Sequence, residues 1–272
     1  MRLFKKDKGQ NILLKLYRTV NSKVAGQFDT TRLIDILLQK FIQLNLEPND
    51  FYVTGPYPDN GWKSVTGFLN GLKKKGFKNV HHILISDQED KMQFSFQNWA
   101  HNYTTEIEHG KLTFEISLDS KIATEETLYD LADDLADLLK FDYGYIFFQS
   151  KNLSLDESKK VNGLFSYTEK QNPDFNKWNR YESSANRGHL RKIYQVNFIT
   201  DSHVKRLKEN NVDIGKFKNF NHAILWTLTE SEIADVNKIL EESDLLVGNI
   251  SFDKTEIKRR IDEELNALQH SV

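Results

Sequence analysis

The stretch KLTFEISLDSKIATEETLYDLADDLADLLKFDYGYIFFQ, Lys111–Gln149, decides the fold class, because its hydrophobic pattern changes twice. Lys111–Leu118 reads as a strand. Thr124–Leu139 is the clearest helix in the chain. Leu128, Leu131, Leu135, Leu138 and Leu139 fall at helical spacing, and Thr124 is placed to cap the first turn. Tyr143–Gln149 (YGYIFFQ) then reads as a buried strand. Strand, helix and strand in this order, inside a chain rich in strand-like runs, predict a mostly antiparallel sheet with helices packed on it.

Working outward, Asn11–Val20 reads as the first strand. A helix follows at Thr31–Leu44, capped by Asp29 or Thr30, with Leu33, Leu37, Phe41 and Leu44 on one face. The turn residues of Gly55–Gly61 mark a loop, and a helix from Trp62 to Lys75 stops at Gly76. Val80–Ser86, Met92–Trp99 and Tyr103–His109 are strand-like, and Gly110 is expected to form a tight hairpin with Lys111–Leu118. Lys151–Arg191 is a polar, turn-rich excursion of a length that usually carries function. Beyond it lie strands at Ile193–Ile199 and His222–Leu228, a short helix at Asp201–Lys208, and a helix opened by the capping box Thr229–Glu232 and running through Leu240. A last helix opens at Asp253. The expected organisation is one α+β domain over residues 1–272, divided internally, if at all, near residues 110–120. His82-Ile-Leu-Ile-Ser and His222-Ala-Ile-Leu-Trp form a faint echo that raises the idea of two similar halves.

The 28% of charged residues nearly cancel to a net charge of −2, so no global field draws the chain to nucleic acid. There is no cysteine, which excludes disulfides, thiol catalysis and cysteine-held metals. The basic start MRLFKK is like that of a signal peptide, but Lys15 and Arg18 interrupt the apolar run and no cleavage site follows. No window is long and apolar enough to span a membrane, and the expected compartment is the cytoplasm.

Candidate chemistry is sparse. Histidines on two strands, His82 and His222, would suit acid–base work on a phosphodiester only beside an anion-holding group. Leu84 and Ile224 stand two residues on, where a hydroxyl would be needed. Asp201-Ser202-His203 has the letters of a triad, but neighbours on one helical turn do not converge, so it reads as a helix start. His81-His82 point to opposite faces of a strand, and no metal loop or glycine-rich phosphate loop is present. The basic runs Lys73-Lys74-Lys75 and Lys258-Arg259-Arg260 fit ordinary solvated helix faces. No catalytic, metal-ligating or cofactor-binding residue is therefore assigned.

The acidic residues are more informative. Asp130, Asp133, Asp134 and Asp137 share the helix face opposite the leucines, at spacings of three and four. Such a row is ordinarily a solvated face, although its members repel one another by a few tenths of a kcal/mol each. It is also a landing strip for a basic partner, where it would raise association rate and specificity. Trp178 and Tyr181, in the irregular excursion, are residue types that anchor interfaces.

Phe141-Asp142-Tyr143-Gly144-Tyr145 after the leucine-rich helix, with Arg191-Lys192-Ile193-Tyr194-Gln195-Val196-Asn197-Phe198-Ile199-Thr200-Asp201-Ser202-His203 further on, resembles immunity-type proteins of bacterial polymorphic toxin and type VI secretion systems. Those proteins pair a helix and a glycine-centred aromatic strand with a later Asn-Phe-Leu strand leading into a helix; Ile199 stands here in place of the leucine. The resemblance covers the C-terminal half. It implies a single α+β domain that binds and neutralises a cognate toxin without catalysis, through a protein partner that is a basic toxin. The expectation is thus a cytoplasmic protein-binding module with partner-binding residues Asp130, Asp133, Asp134, Asp137, Trp178 and Tyr181. Two alternatives stand beside it: a metal- or histidine-dependent enzyme acting on nucleic acid or nucleotide, and a structural component of a phage or secretion assembly. Convergence of two of His82, His109, His189, His203 and His222 with a carboxylate would favour the enzyme.

Overall fold

A computed structural model describes residues 9–21, 28–55, 60–76, 80–87, 91–98, 109–151, 178, 185 and 187–249. The chain runs β1 (Gln10–Asn21), α1 (Thr30–Gln43), β2 (Asp50–Thr54), β3 (Asn60–Trp62), α2 (Val65–Lys75), β4 (His82–Ser86), β5 (Met92–Asn98), β6 (His109–Asp119), α3 (Glu125–Leu139), β7 (Tyr143–Ser150), β8 (Val196–Ile199), α4 (Asp201–Glu209), β9 (Lys216–Phe220), β10 (Ala223–Thr227) and α5 (Glu230–Ile239). Among the described residues, ten strands form one sheet in the order β3-β2-β4-β5-β6-β1-β7-β8-β10-β9, with every neighbouring pair antiparallel. The expected α+β class holds.

The two longest central strands, β1 and β6, pair along their whole length from Asn11↔Asp119 to Asn21↔His109. Each then opens the same series: strand, helix, hairpin, helix, hairpin. The similarity of the halves ends there. In the first half the β2–β3 hairpin lies outermost, whereas in the second the β7–β8 pair lies beside β1 and the later β9–β10 hairpin is outermost. The two echoing histidines consequently occupy unlike places, His82 within β4 and His222 in the turn before β10.

Register makes the two faces chemically different. One row crosses Phe51, Ile85, Phe94, Ile116, Leu14, Ile146 and Val196 from β2 to β8. Leu33, Leu37 and Phe41 of α1, Phe68 and Leu72 of α2, and Leu128, Leu131 and Leu135 of α3 close that face. One residue along, the row on the opposite face reads Tyr52, Leu84, Ser95, Glu115, Lys15, Tyr145, Asn197 and Trp226. Leu207 of α4, Val236 of α5 and its C-cap Leu240 cover its β7–β10 side.

The helix boundaries follow from caps. Asp29 accepts the Arg32 amide at 3.0 Å, and Thr124 shares a capping box with Thr127. α2 starts three residues later than its periodicity suggests, because Trp62 pairs with Phe51 in β3 and Ser64 takes the cap by accepting the Gly67 amide. Gly110 is the main correction: it is no hairpin turn but lies inside β6, opposite Val20. Most of the other half of that expected hairpin, like the helix expected from Asp253 and most of the excursion at 151–191, falls outside the described residues. Gly144 has a packing reason. A Cβ there would sit 2.7 Å from the Lys15 carbonyl oxygen and 2.6 Å from the Leu16 side chain, so β7 can lie against β1 only with glycine at this position.

Candidate functional site

The acidic strip stands on α3 as its spacing predicts. Asp130, Asp133, Asp134 and Asp137 are all exposed, while Leu128, Leu131, Leu135 and Leu139 on the reverse are buried. Three of the four carboxylates are held by neighbouring elements. Asn221 Nδ2 donates to Asp133 Oδ1 at 2.6 Å, and His222 Nε2 lies 3.2 Å from Asp137 Oδ1. Lys40 Nζ of α1 approaches Asp134 Oδ2 at 3.6 Å. The strip is therefore fixed in place by the β9–β10 turn and by α1, and still presents its charge to solvent.

The aromatic candidates fare differently. Trp178 has no exposed surface. Its indole packs edge-on against Tyr17 and Tyr143, with ring centroids 5.4 and 5.3 Å apart. The expectation of a surface anchor at Trp178 is corrected: a ring this deep adds to the core. Tyr181 lies outside the described residues.

Trp178 belongs to a buried polar–aromatic seam that sequence reading missed. Tyr17 and Tyr145 hydroxyls meet at 2.9 Å, and Arg191 Nη1 donates to the Tyr145 hydroxyl at 2.6 Å. Tyr194 stacks on Tyr145 with centroids 4.0 Å apart. Burial raises the Tyr143 phenol well above its usual range, although Arg191 opposes the shift. The seam continues across β1 and β6, where Lys15 Nζ sits 3.0 Å from Glu115 Oε1 and the Lys15 side chain is fully buried. Further on, Asn11 donates to Ser117, and His82 pairs with Ser95 at 3.1 Å. The available signal was a charged residue at an inward position of each central strand: Lys15 between leucines and Glu115 between Phe114 and Ile116.

Two histidines do meet. His189 adjoins His203 of α4, with His189 engaged through both ring nitrogens and His203 through Nδ1. The Thr200 amide, which can only donate, lies 3.2 Å from His203 Nδ1, so that nitrogen accepts and the neutral ring carries its proton on Nε2. Desolvation pushes His203 down to about 3, while the His189 backbone opposes the shift. Arg206 likewise only donates, so His189 Nε2 accepts at 2.7 Å and its Nδ1 donates to the Asp244 carbonyl at 3.1 Å. Burial, then Arg206, brings His189 down to about 4. Arg206 Nη2 also takes the Asp244 carboxylate at 2.6 Å, so the Asp244 carboxylate beside the pair is already engaged.

This is a clasp tying residues 187–191 and Asp244 to α4. Ser202 and His203 both bond Thr200, with Ser202 Oγ 2.8 Å from Thr200 Oγ1, and make no relay with Asp201. His82 and His222 stand apart from this pair, on β4 and at the β9–β10 turn, and His82 is pushed down to about 4 by burial. The His109 side chain lies outside what is described. Among the described residues no three His, Asp or Glu side chains are grouped to hold a metal ion. No described helix is long and apolar enough to cross a membrane. Lys73 and Lys74 are exposed near the end of α2.

No protein-family model and no curated protein matches the sequence. Among solved structures, the fold is similar to that of the T6SS protein PA0821 of Pseudomonas aeruginosa, with a TM-score of 0.53 and 11% identity over 89% of this chain and 76% of that one. At that identity the likeness concerns the fold alone. The adenosylmethionine decarboxylase of Aquifex aeolicus aligns over 57% of this chain and 99% of its own at 15% identity; its TM-score of 0.29 carries no argument.

Proposed function

We propose that the chain is a protein-binding module of immunity type, which takes a basic partner on the α3 strip. One observation carries the reading: four exposed carboxylates stand on one helix face, three of them pinned by Asn221, His222 and Lys40. Pinning lowers the side-chain entropy lost on docking, and concentrated charge speeds encounter with an oppositely charged surface. The likeness to a protein described as a T6SS protein supports a secretion-related setting. In an immunity pair the partner would be a toxin.

The test neutralises charge while keeping the local bonds. Asp133→Asn with Asp137→Asn leaves an oxygen for Asn221 and His222 but removes two negative charges. A partner captured from the native lysate is then titrated against both forms by stopped flow at several salt concentrations. Association of the double variant is expected to be about tenfold slower at low salt, with a flatter salt dependence. An unchanged rate and salt slope would remove the strip from the interface.

A further inference from the structure

The geometry points to a second docking edge: the outer side of β9 receives an extended, alternately acidic and apolar segment of a partner protein as an eleventh strand. β9 is the last strand of the ten-stranded order and, among the described residues, pairs only with β10. Phe220↔Ala223 closes the two-residue turn Asn221-His222, and pairing then continues through Lys218↔Leu225 to Lys216↔Thr227. In an antiparallel hairpin closed by two residues, the flanking pair and every second pair beyond it exchange the ladder bonds. The N–H and C=O groups of Phe217 and Asn219 therefore point away from β10, towards the open edge. Such a row of groups is a template for strand addition.

Alternation sorts the side chains along that edge. Phe217 and Asn219 are register partners of Trp226 and Ile224, on the face that carries α4. Phe217 lies flat on Trp226, with centroids 5.7 Å apart and planes 4° from parallel, yet it keeps 40% of its surface exposed. Beside it, Val204, Leu207, Val212 and Ile224 form the apolar part of a groove of ≈ 310 Å³ between α4 and the β9–β10 hairpin, which Lys208, Asp213 and Lys218 also line. Lys216 and Lys218 alternate with Phe217 and so leave the strand towards the other face, both exposed, with Lys218 also bordering the groove and Lys216 within electrostatic reach of Glu232. An added strand places its side chains on the same faces as those they oppose. One set of guest side chains would meet Phe217 and the apolar part of the groove, and the other set would meet two ammonium groups.

Charge decides among occupants. Edge lysines are a common guard against aggregation, and a second copy paired through β9 would bring four lysines together. A guest with carboxylates on that face turns the same lysines into attraction. Protection by itself accounts for neither the exposed phenylalanine nor the groove next to it. The β9–β10 turn adjoins the α3 strip through Asn221 and His222, but the edge wants a partner face of opposite sign, so either reading can fail without the other.

The probe is a capped nonapeptide alternating glutamate with leucine and valine; its control has lysine for glutamate. Binding to the full chain is read by anisotropy, and the strand contact by amide exchange at Phe217 and Asn219, which the open edge leaves fast. The acidic peptide is expected to bind at least about tenfold more tightly than the basic one and to slow exchange at both amides. Asn219→Pro removes an outward amide but no bond to β10, so it should abolish binding with thermal stability retained. Lys216→Glu with Lys218→Glu should invert the preference between the peptides, a result that a misfolded variant cannot give. Equal binding of the two peptides, or unprotected amides at millimolar peptide, overturns the proposal. So does a wild-type dimer in sedimentation that Asn219→Pro dissolves, since the occupant would then be a second copy.

Discussion

The two faces of the sheet are built on the same strands and closed by different physics. On one, Leu14, Ile116 and Phe94 meet the leucines of α1 and α3, and the contact is apolar throughout. On the other, the neighbouring residues Lys15, Glu115 and Ser95 are polar, and they run into tyrosines held by Arg191. Apolar packing is non-directional and tolerates change in proportion to area lost. A buried ion pair is directional, and each partner is costly without the other. The first face supplies bulk stability, whereas the second fixes register: a one-residue slip between β1 and β6 would break the Lys15–Glu115 pair and bury both charges alone.

The sharpest way to break this contrast is Lys15→Met. It should destabilise the fold by about 3–5 kcal/mol in urea unfolding, because Glu115 is left buried without its cation. Adding Glu115→Leu should recover most of that loss, and a double variant no more stable than the single one would refute the account. On the apolar face, Leu135→Ala should cost roughly 2–5 kcal/mol through lost transfer energy and the remaining cavity. No second polar substitution is expected to rescue it.

The smallest effect is a pH slope, at most about 1.4 kcal/mol per pH unit for each histidine. His203 and His189 are held well below the ordinary imidazole value, down to about 3 and about 4, mainly by burial. Between those values and about 6.5 the unfolded chain binds more protons than the folded one, so stability rises with pH across that window. The contribution is complete above about 6.5 and is lost on acidification towards the folded values. His203→Gln should flatten part of this slope while keeping an acceptor for the Thr200 amide. An unaltered slope would show that His203 is not the group being protonated.

Much of the fold was legible because local signals were strong. The leucine period of α3, its Thr124 cap and the Thr229–Glu232 box each act within a few residues, so the sequence alone defines them. β2 (DFYVT) and β9 (KFKNF) were missed, since each is five residues long and β9 is almost wholly exposed. The acidic strip was readable from helical spacing, but its anchoring by Asn221 and His222 was not, because those residues lie more than eighty positions away in sequence.

The sequence by itself determined the α+β class, most helix starts and the identity of the acidic face, all of which depend on short-range periodicity and capping. Tertiary structure decided the rest. It buried Trp178, placed Gly110 inside a central strand and coupled Lys15 to Glu115. It also joined His189 and His203 in a clasp and left β9 at an open edge. Each of these depends on which strands become neighbours, and that is settled by long-range packing of the whole sheet rather than by any local run of residues.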